Sequence, residues 1–437
     1  MKNFAYIGIL CAVMSYGSTL EEMITLSEKN PSIKAALHQA KVYKSLHSAA
    51  QSENYPSLDI SYGGTYLHED PVMYLNSSFA GLPPGTEMQV QARNLYVGAV
   101  KLTYPLFTGF AVTAQIDKSK LRMKRASLEA EDAKRNLYIN IVQAYTTALS
   151  LKHLIDSEQK AYEATQKSYD KAKAFFDLGM SSSAELYRIE ANLNAIKAKQ
   201  IQTDNGYKIA LSQLSLMTKE KIMDVKVLPN IEELSLEKLT KQALQNRPDL
   251  QALRLMVKEQ QSEIDLAKSS YYPSVALFAQ ASQVGDTLEL DGDGYTNKDR
   301  SAAGFSINYN LFSGFKTQSQ IEAAREAKLS VELSLQAYTQ KIKTEIYESH
   351  LTYKSLLGAF EAAKAQVKAQ EAYEKLVLGQ FENQLADADT LSRAISSSAM
   401  SRASLISIDA KLYAAYAKAL LQVDNKTFLN TIKSTKE

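Results

Sequence analysis

The chain of 437 residues has no tryptophan and one cysteine, Cys11. A single thiol excludes an internal disulfide and any cysteine-based metal site. Histidine is almost as scarce: His38, His47, His68, His153 and His350 form no HxxxH or HExxH spacing, which removes the usual support for a zinc enzyme. No GxGxxG, Walker-type or GxSxG segment occurs, so the reading is of a non-enzyme that holds neither metal nor cofactor. An excess of one charge is also lacking. Fifty lysines and arginines against 48 aspartates and glutamates leave +2, whereas a nucleic-acid binder normally carries a strongly basic face. After residue 17 no run reaches the ~18–20 apolar residues of a membrane-spanning helix. A barrel is then the only way into a bilayer. Proline is confined: none lies between Pro105 and Pro229 and none follows Pro273, which favours long helices in both stretches.

What is present begins with an export signal. Lys2, the apolar run Phe4 to Met14, and small residues at Ser15 and Gly17 predict a signal peptide over residues 1–17, cut after Gly17. The alternative is an N-terminal helix that stays attached. Leu10 is too bulky before Cys11 for a lipidation site.

The remainder repeats itself. Asn30-Pro31 opens a helical stretch ending at Tyr55-Pro56-Ser57, and Arg247-Pro248 opens another ending at Tyr272-Pro273-Ser274, an offset of 272 − 55 = 217. Tyr104-Pro105-Leu106-Phe107-Thr108-Gly109-Phe110 matches Tyr309-Asn310-Leu311-Phe312-Ser313-Gly314-Phe315 at 309 − 104 = 205, and the same offset carries Leu186 onto Leu391 and Arg188 onto Arg393. The predicted repeats are residues 18–235 and 236–437, each in the order helix, hairpin, very long helix, turn, return helix.

In the first repeat Leu20 to Asn54 reads as helix, stopping before Pro56. Ser57 to Leu67 then alternates, with Leu58, Ile60, Tyr62 and Tyr66 facing one way and Asp59, Ser61 and Thr65 the other. Leu95 to Phe107 alternates likewise, and the second repeat has Ser274 to Val284 and Ala302 to Phe312. Alternating strands of this length with aromatics on the apolar face suit an outer-membrane barrel, although a soluble hairpin looks similar locally. Phe110 to Phe176 holds 67 residues without proline or glycine, about 100 Å of helix at ~1.5 Å per residue. Ile141, Ala148, Ile155, Tyr162, Tyr169 and Phe176 recur every seven residues, and Ile346 to Phe381 repeats this with a break at Glu374. The heptad predicts a packing seam along a neighbouring helix. A return helix over Ser181 to Met217, a linker over Thr218 to Ser235 and a turn around Leu178-Gly179 complete the unit. The acidic segment Gly285 to Asp299 hints at calcium but lacks the ligand spacing and the closing glutamate, and reads as a solvated loop.

Four strands cannot close a barrel, since the smallest known have eight, and an open edge in lipid leaves backbone groups unpaired at several kcal/mol each. The chain must oligomerise. The predicted class is therefore mainly α with a small β part: an internally duplicated, long-helix protomer of an α-barrel that contributes four strands to an oligomeric transmembrane β-barrel. The competing class is a pore-less periplasmic coiled-coil adaptor or structural protein, which normally carries one helical hairpin rather than two complete units.

These residues resemble the TolC-type outer-membrane efflux ducts over nearly the whole chain. The resemblance rests on Leu20-Glu21-Glu22 leading to Asn30-Pro31, on both Tyr-Pro-Ser helix ends, on Tyr-Pro-Leu-Phe-Thr-Gly-Phe, and on a GxxSxxEL-like turn at Gly179, Ser182, Glu185 and Leu186. It implies an outer-membrane protein of a Gram-negative bacterium with a long periplasmic extension. It also implies a homotrimer with twelve strands, docked through a periplasmic adaptor (a membrane fusion protein) to an inner-membrane pump of RND or ABC type. Adaptor docking would then fall on Gly179, Ser182, Glu185, Leu186 and Leu385. The periplasmic aperture would fall at Asp387, Asp389, Thr390 and Arg393. The family's narrowing acidic positions align with Thr390 and Arg393 here, so three readings stand: a ring formed by Asp387 and Asp389, a latch made by Arg393 on Asp389 at i, i+4, or solvated helix-end carboxylates.

Overall fold

The computed structural model describes residues 18–78, 80–226, 231–383 and 385–434; the expected signal peptide and Cys11 lie outside them. The elements in chain order are α1 (Leu20–Ser27), α2 (Pro31–Ser52), β1 (Ser57–Tyr66), β2 (Val72–Tyr74), β3 (Glu87–Gln89), β4 (Asn94–Thr108), α3 (Ala111–Asp177) and α4 (Ser183–Thr218). They continue with α5 (Leu236–Asn246), α6 (Pro248–Lys268), a 3-10 turn at Ser269–Tyr271, β5 (Ser274–Gly285), β6 (Asp299–Asn308), α7 (Lys316–Glu382), α8 (Ala388–Leu421) and α9 (Asn425–Ser434). Both long helices have 67 residues and start 316 − 111 = 205 apart, the offset read from the sequence. No helix among the described residues is long and apolar enough to cross a membrane.

The structure departs from the sequence pattern at four places. The helix predicted over Leu20 to Asn54 is broken between α1 and α2, because Pro31 has no N–H to offer. Asn30 fills the gap: its Oδ1 accepts the Ser32 N–H at 2.9 Å and its Nδ2 donates to the Met217 carbonyl at 2.8 Å. A short β2–β3 hairpin occupies the polar segment, joined through Val72↔Gln89 and Tyr74↔Glu87. The last return helix stops at Leu421, and α9 follows as a separate element. Finally, β6 spans Asp299–Asn308 rather than Ala302 to Phe312.

Two compact units emerge, and each draws on both repeats. One consists of residues up to Gln39, Ser127–Ala252 and Leu335–Glu437. Its main core gathers Met23 and Ile24 of α1, Ile141, Tyr145 and Ala148 of α3, Leu214 of α4, Leu250 of α6, Ile342 and Ile346 of α7, Tyr413 and Tyr416 of α8, and Phe428 of α9. Tyr145 is fully buried and is held by the linker, donating its hydroxyl to the Lys226 carbonyl at 2.8 Å and accepting the Lys226 N–H at 3.1 Å. Beside this core lies a buried charge network. Arg247 meets Asp249 at 3.0 Å and Glu345 at 2.9 Å, Arg135 meets Asp249 at 3.1 Å, and the Tyr338 hydroxyl donates to Asp249 at 2.7 Å. Arg247 and Asp249 are the repeat equivalents of Asn30 and Ser32, so a neutral cap in one repeat is a charged one in the other.

The heptad stripe of α3 holds only in part. Ile141 and Ala148 are buried, but Phe176 is 39% exposed. Further along the helix the buried positions are Ser157, Glu158, Ala161, Thr165, Ser168 and Ala172. A straight α-helix drifts ~20° per heptad, so a strict seven-residue stripe rotates out of the seam. On α7 Ile346, Tyr353 and Phe381 of the stripe are buried, Phe360 and Val367 are half-buried, and Glu374 is paired with Arg402 at 3.0 Å.

The second unit holds Ala40–Ala126 and Leu253–Ser334. It contains the four-stranded antiparallel sheet, in the order β1-β4-β5-β6. The two hairpins have one register: Ser57 pairs with Thr103, and its equivalent Ser274 with Asn308, the equivalent of Thr103. The two repeats join through β4 and β5, with a bulge between Pro105 and Phe107 where proline cannot donate to the ladder.

Candidate functional site

The pleat sorts the sheet into two chemically opposite faces. Cross-strand partners share a face, so the register places Leu58, Ile60, Tyr62 and Tyr66 of β1 beside Val100, Leu102 and Tyr104 of β4. The same face continues to Leu277 and Ala279 of β5 and Ala303, Phe305 and Ile307 of β6. Most of its large side chains lie open within the unit: Ile60 is 78% exposed and Phe305 68%. The opposite face carries Asp59, Ser61, Lys101, Thr103, Gln280, Ser282, Arg300 and Ser306. At β1 and β6 the sheet simply ends, and no strand among the described residues pairs with either outer edge.

The acidic loop between β5 and β6 is folded rather than merely solvated. Leu290 seats against Gly98, where an added Cβ would lie 2.6 Å from its Cδ1, and the Tyr62 hydroxyl donates to the Leu288 carbonyl at 2.9 Å. Asp293 is 3% exposed and accepts from the Tyr295 and Thr296 amides at 3.0 and 2.7 Å. Thr287 occupies Asp291 at 2.9 Å and Gln283 occupies Asp299 at 2.7 Å. No cluster of three or more metal-ligating side chains forms among the described residues, so the calcium hint gains nothing from the geometry.

The helical unit carries the other candidate, the two tips. Gly179, at φ 71°, closes the first turn, and the Met180 N–H donates to the Phe175 carbonyl at 2.8 Å. In the second repeat Leu385 donates to Gln380 at 2.8 Å, the same closure five residues back. The helix starts match as well. Ser182 caps α4 by accepting the Glu185 N–H at 3.4 Å, and its equivalent Asp387 caps α8 by accepting the Thr390 N–H at 2.8 Å. The hydroxyl and amide of Thr390 hold the Asp387 carboxyl below the usual carboxylate range. Glu185 accepts a hydrogen bond from the Ser181 hydroxyl.

Asp389 is shared by two arginines, Arg188 of α4 at 2.9 Å and Arg393 of α8 at 2.7 Å. The pairing with Arg393 expected from the sequence forms, but it lies within one helix and ties nothing together. The contact from helix to helix belongs to Arg188, supported by Asn192 donating to Ser392 at 2.8 Å. Charge also cancels within this group, two aspartates against two arginines, which weakens a carboxylate ring as an attractor of cations. Leu186, which the resemblance places among the docking residues, packs inward beside Ile189, Val377, Phe381 and Leu391. The outward apolar residues are Leu178, Met180, Tyr187 and Leu385, exposed by 73%, 59%, 65% and 79%. The repeat offset maps Met180 onto Leu385 and was the signal available for finding it.

The family described as "Outer membrane efflux protein" matches over residues 25–218 and 239–422. The outer membrane efflux protein BepC of Brucella suis is 21% identical over 376 residues, covering 83% of this chain and 76% of BepC. The alkaline protease secretion protein AprF of Pseudomonas aeruginosa is 18% identical over 353 residues, covering 79% and 70%. Among solved structures, the outer membrane protein VceC of Vibrio cholerae superposes with a TM-score of 0.75 at 15% identity, over 92% of this chain and 95% of VceC.

Proposed function

This chain belongs to the outer membrane efflux protein family and is an outer-membrane exit duct; from that premise we propose that it works as a homotrimer. Three copies supply twelve strands, with the apolar face toward lipid and the Lys101, Gln280 and Arg300 face toward a water-filled lumen. The observation that carries this reading is the sheet itself: one apolar face largely exposed, and two edges unpaired among the described residues. Each unpaired backbone group costs several kcal/mol in hydrocarbon, and only ring closure removes both edges. A pore-less coiled-coil protein has no use for such a face.

The helical part extends into the periplasm of a Gram-negative cell, and its tips receive an adaptor that links the duct to an inner-membrane pump. The duct is passive, and the pump selects the cargo. Apolar Leu178, Met180 and Leu385 at the turns, beside small Gly179 and Ser182, support docking of another helical tip there. Native mass measurement of the detergent-extracted protein tests the assembly, with three chains expected; a folded, membrane-inserted monomer refutes it. Replacing Ser182 by a bulky residue is expected to leave the trimer intact and abolish export. Unchanged export at normal expression removes the docking assignment.

A further inference from the structure

The polar face of the sheet carries one residue at odds with it. Among the paired residues on that face, most are small, hydroxylated or charged, and Phe278 of β5 is the one aromatic side chain. Its ladder partners are Thr103 on β4 and Gly304 on β6. A Cβ on Gly304 would lie 3.1 Å from the Phe278 Cζ and 3.3 Å from its Cε1, so the ring rests on the glycine, against the wall. Glycine weakens the interior of a strand, and here the close approach of the ring accounts for it.

The first repeat shows the alternative. Moving Phe278 back by 217 gives Ser61, and moving Gly304 back by 205 gives Ala99; these two are also ladder partners. The repeats therefore differ at this pair by two compensating changes. A ring is added on one strand, and a methyl group is missing from the strand beneath it. A ring that only filled a core would be buried, whereas Phe278 is half-buried on a polar face.

We propose that Phe278 is the residue through which the barrel wall touches cargo, and that together with Lys101 it favours aromatic anions. The proposal rests on the oligomeric duct above, whose lumen this face lines. Lys101 is the diagonal neighbour of Phe278, two residues along β4 from Thr103. Diagonal neighbours lie ~7–8 Å apart, within reach of aromatic and long side chains. Lys101 is exposed and has no ion pair among the described residues. A planar ring stacked on Phe278 can extend an acid group to the Lys101 ammonium, with the Gln280 amide beside both. Among the paired residues of this face, two cations, Lys101 and Arg300, stand against one carboxylate, Asp59. That excess attracts anions and disfavours organic cations, although the ring alone would accept either. The contact is weak by necessity, because a duct must release what it holds.

Saturation-transfer NMR on the full-chain trimer in lipid nanodiscs tests this, with benzoate as the probe and empty nanodiscs as the background. Transfer to benzoate is expected from the wild-type protein, and F278A is expected to reduce it at least ~5-fold, as the loss of one aromatic stack. F278Y keeps the ring and is expected to keep the signal. K101Q is expected to weaken benzoate about twofold and to leave benzyl alcohol, which has the ring without the charge, unchanged. No transfer from wild type, equal transfer from F278A, or benzylamine preferred over benzoate overturns the assignment while a preparation of trimeric mass leaves the duct standing. A preparation of monomeric mass overturns the duct and its lumen. The seat of the ring is read separately, from the fluorine resonance of trifluoromethyl-phenylalanine placed at 278. G304V is expected to shift it, and A99V, the same change at the repeat equivalent, to leave it in place. An unmoved resonance in G304V removes Gly304 as the seat.

Discussion

Arg188→Ala cuts the ion pair that crosses from α4 to α8 at the tip while leaving both helices capped by Ser182 and Asp387. The Arg188 side chain is 61% exposed and that of Asp389 23%, so the pair is worth ~0.5–1 kcal/mol rather than the value of a buried one. A change of that size shifts a closed–open equilibrium by about 2–5-fold. The screening length falls from ~10 Å at 0.1 M salt to ~3 Å at 1 M, so the effect shrinks as salt rises. In planar bilayers, with the tip as the constriction, open probability is expected to rise about 2–5-fold in 0.1 M KCl and to change little in 1 M KCl. Asp389→Asn is expected to match it, and combining the two adds nothing, because one interaction has been removed twice. Arg393→Ala deletes only a pair within α8, worth a few tenths of a kcal/mol, and leaves Asp389 wholly to Arg188. It is expected to leave the pore closed. If Arg393→Ala opens the pore as far as Arg188→Ala, or if Arg188→Ala is silent at low salt, the tie between α4 and α8 does not control opening.

Two further outcomes concern the helical unit. Asp249→Ala takes one carboxylate from the buried guanidiniums of Arg135 and Arg247, which keep Asp132 and Glu345, a loss of ~1–3 kcal/mol. Amide exchange over the first turns of α6 is expected to accelerate about 5–100-fold, and a change under threefold shows that the network is not holding the α5–α6 joint. Glu158 is buried with Oε1 bonded to the Thr203 hydroxyl at 3.0 Å and Oε2 without a hydrogen-bond partner among the described residues. Burial, opposed by Thr203 and Lys199, raises its pKa. The folded state therefore keeps the Glu158 proton to higher pH than the unfolded chain. Its stabilising contribution is full below the ordinary carboxylate pKa and is lost as pH rises through the raised one. Glu158→Gln is expected to raise the unfolding midpoint at pH 7, by about 1 kcal/mol of stability, and to make no difference near pH 4. Equal effects at both pH values refute the assignment.

The sequence by itself determined the features set by local preference. Proline and glycine bounded α3, which lies within one residue of the stretch read from composition, and the repeat offset carries it onto α7. Alternation placed β1, β4 and β5 to within a residue or so, and the repeat offset aligned the two tips down to their capping residues. Each of these is encoded within a few residues of chain, where sterics and amphipathic period act. The tertiary structure decided whatever depends on a neighbour from elsewhere. β6 ends at Asn308 and β4 runs to Thr108 because one has a partner on both sides and the other on one. Asp389 finds Arg188, some 200 residues away, as well as the Arg393 visible at i, i+4. Leu186 turns inward although the resemblance places it among the docking residues, since Ile189 and Phe381 supply an apolar cluster that no local pattern announces. The lower heptad stripe of α3 drifts off its seam because helical pitch, and not the spacing of tyrosines, sets which residues meet the neighbouring helix.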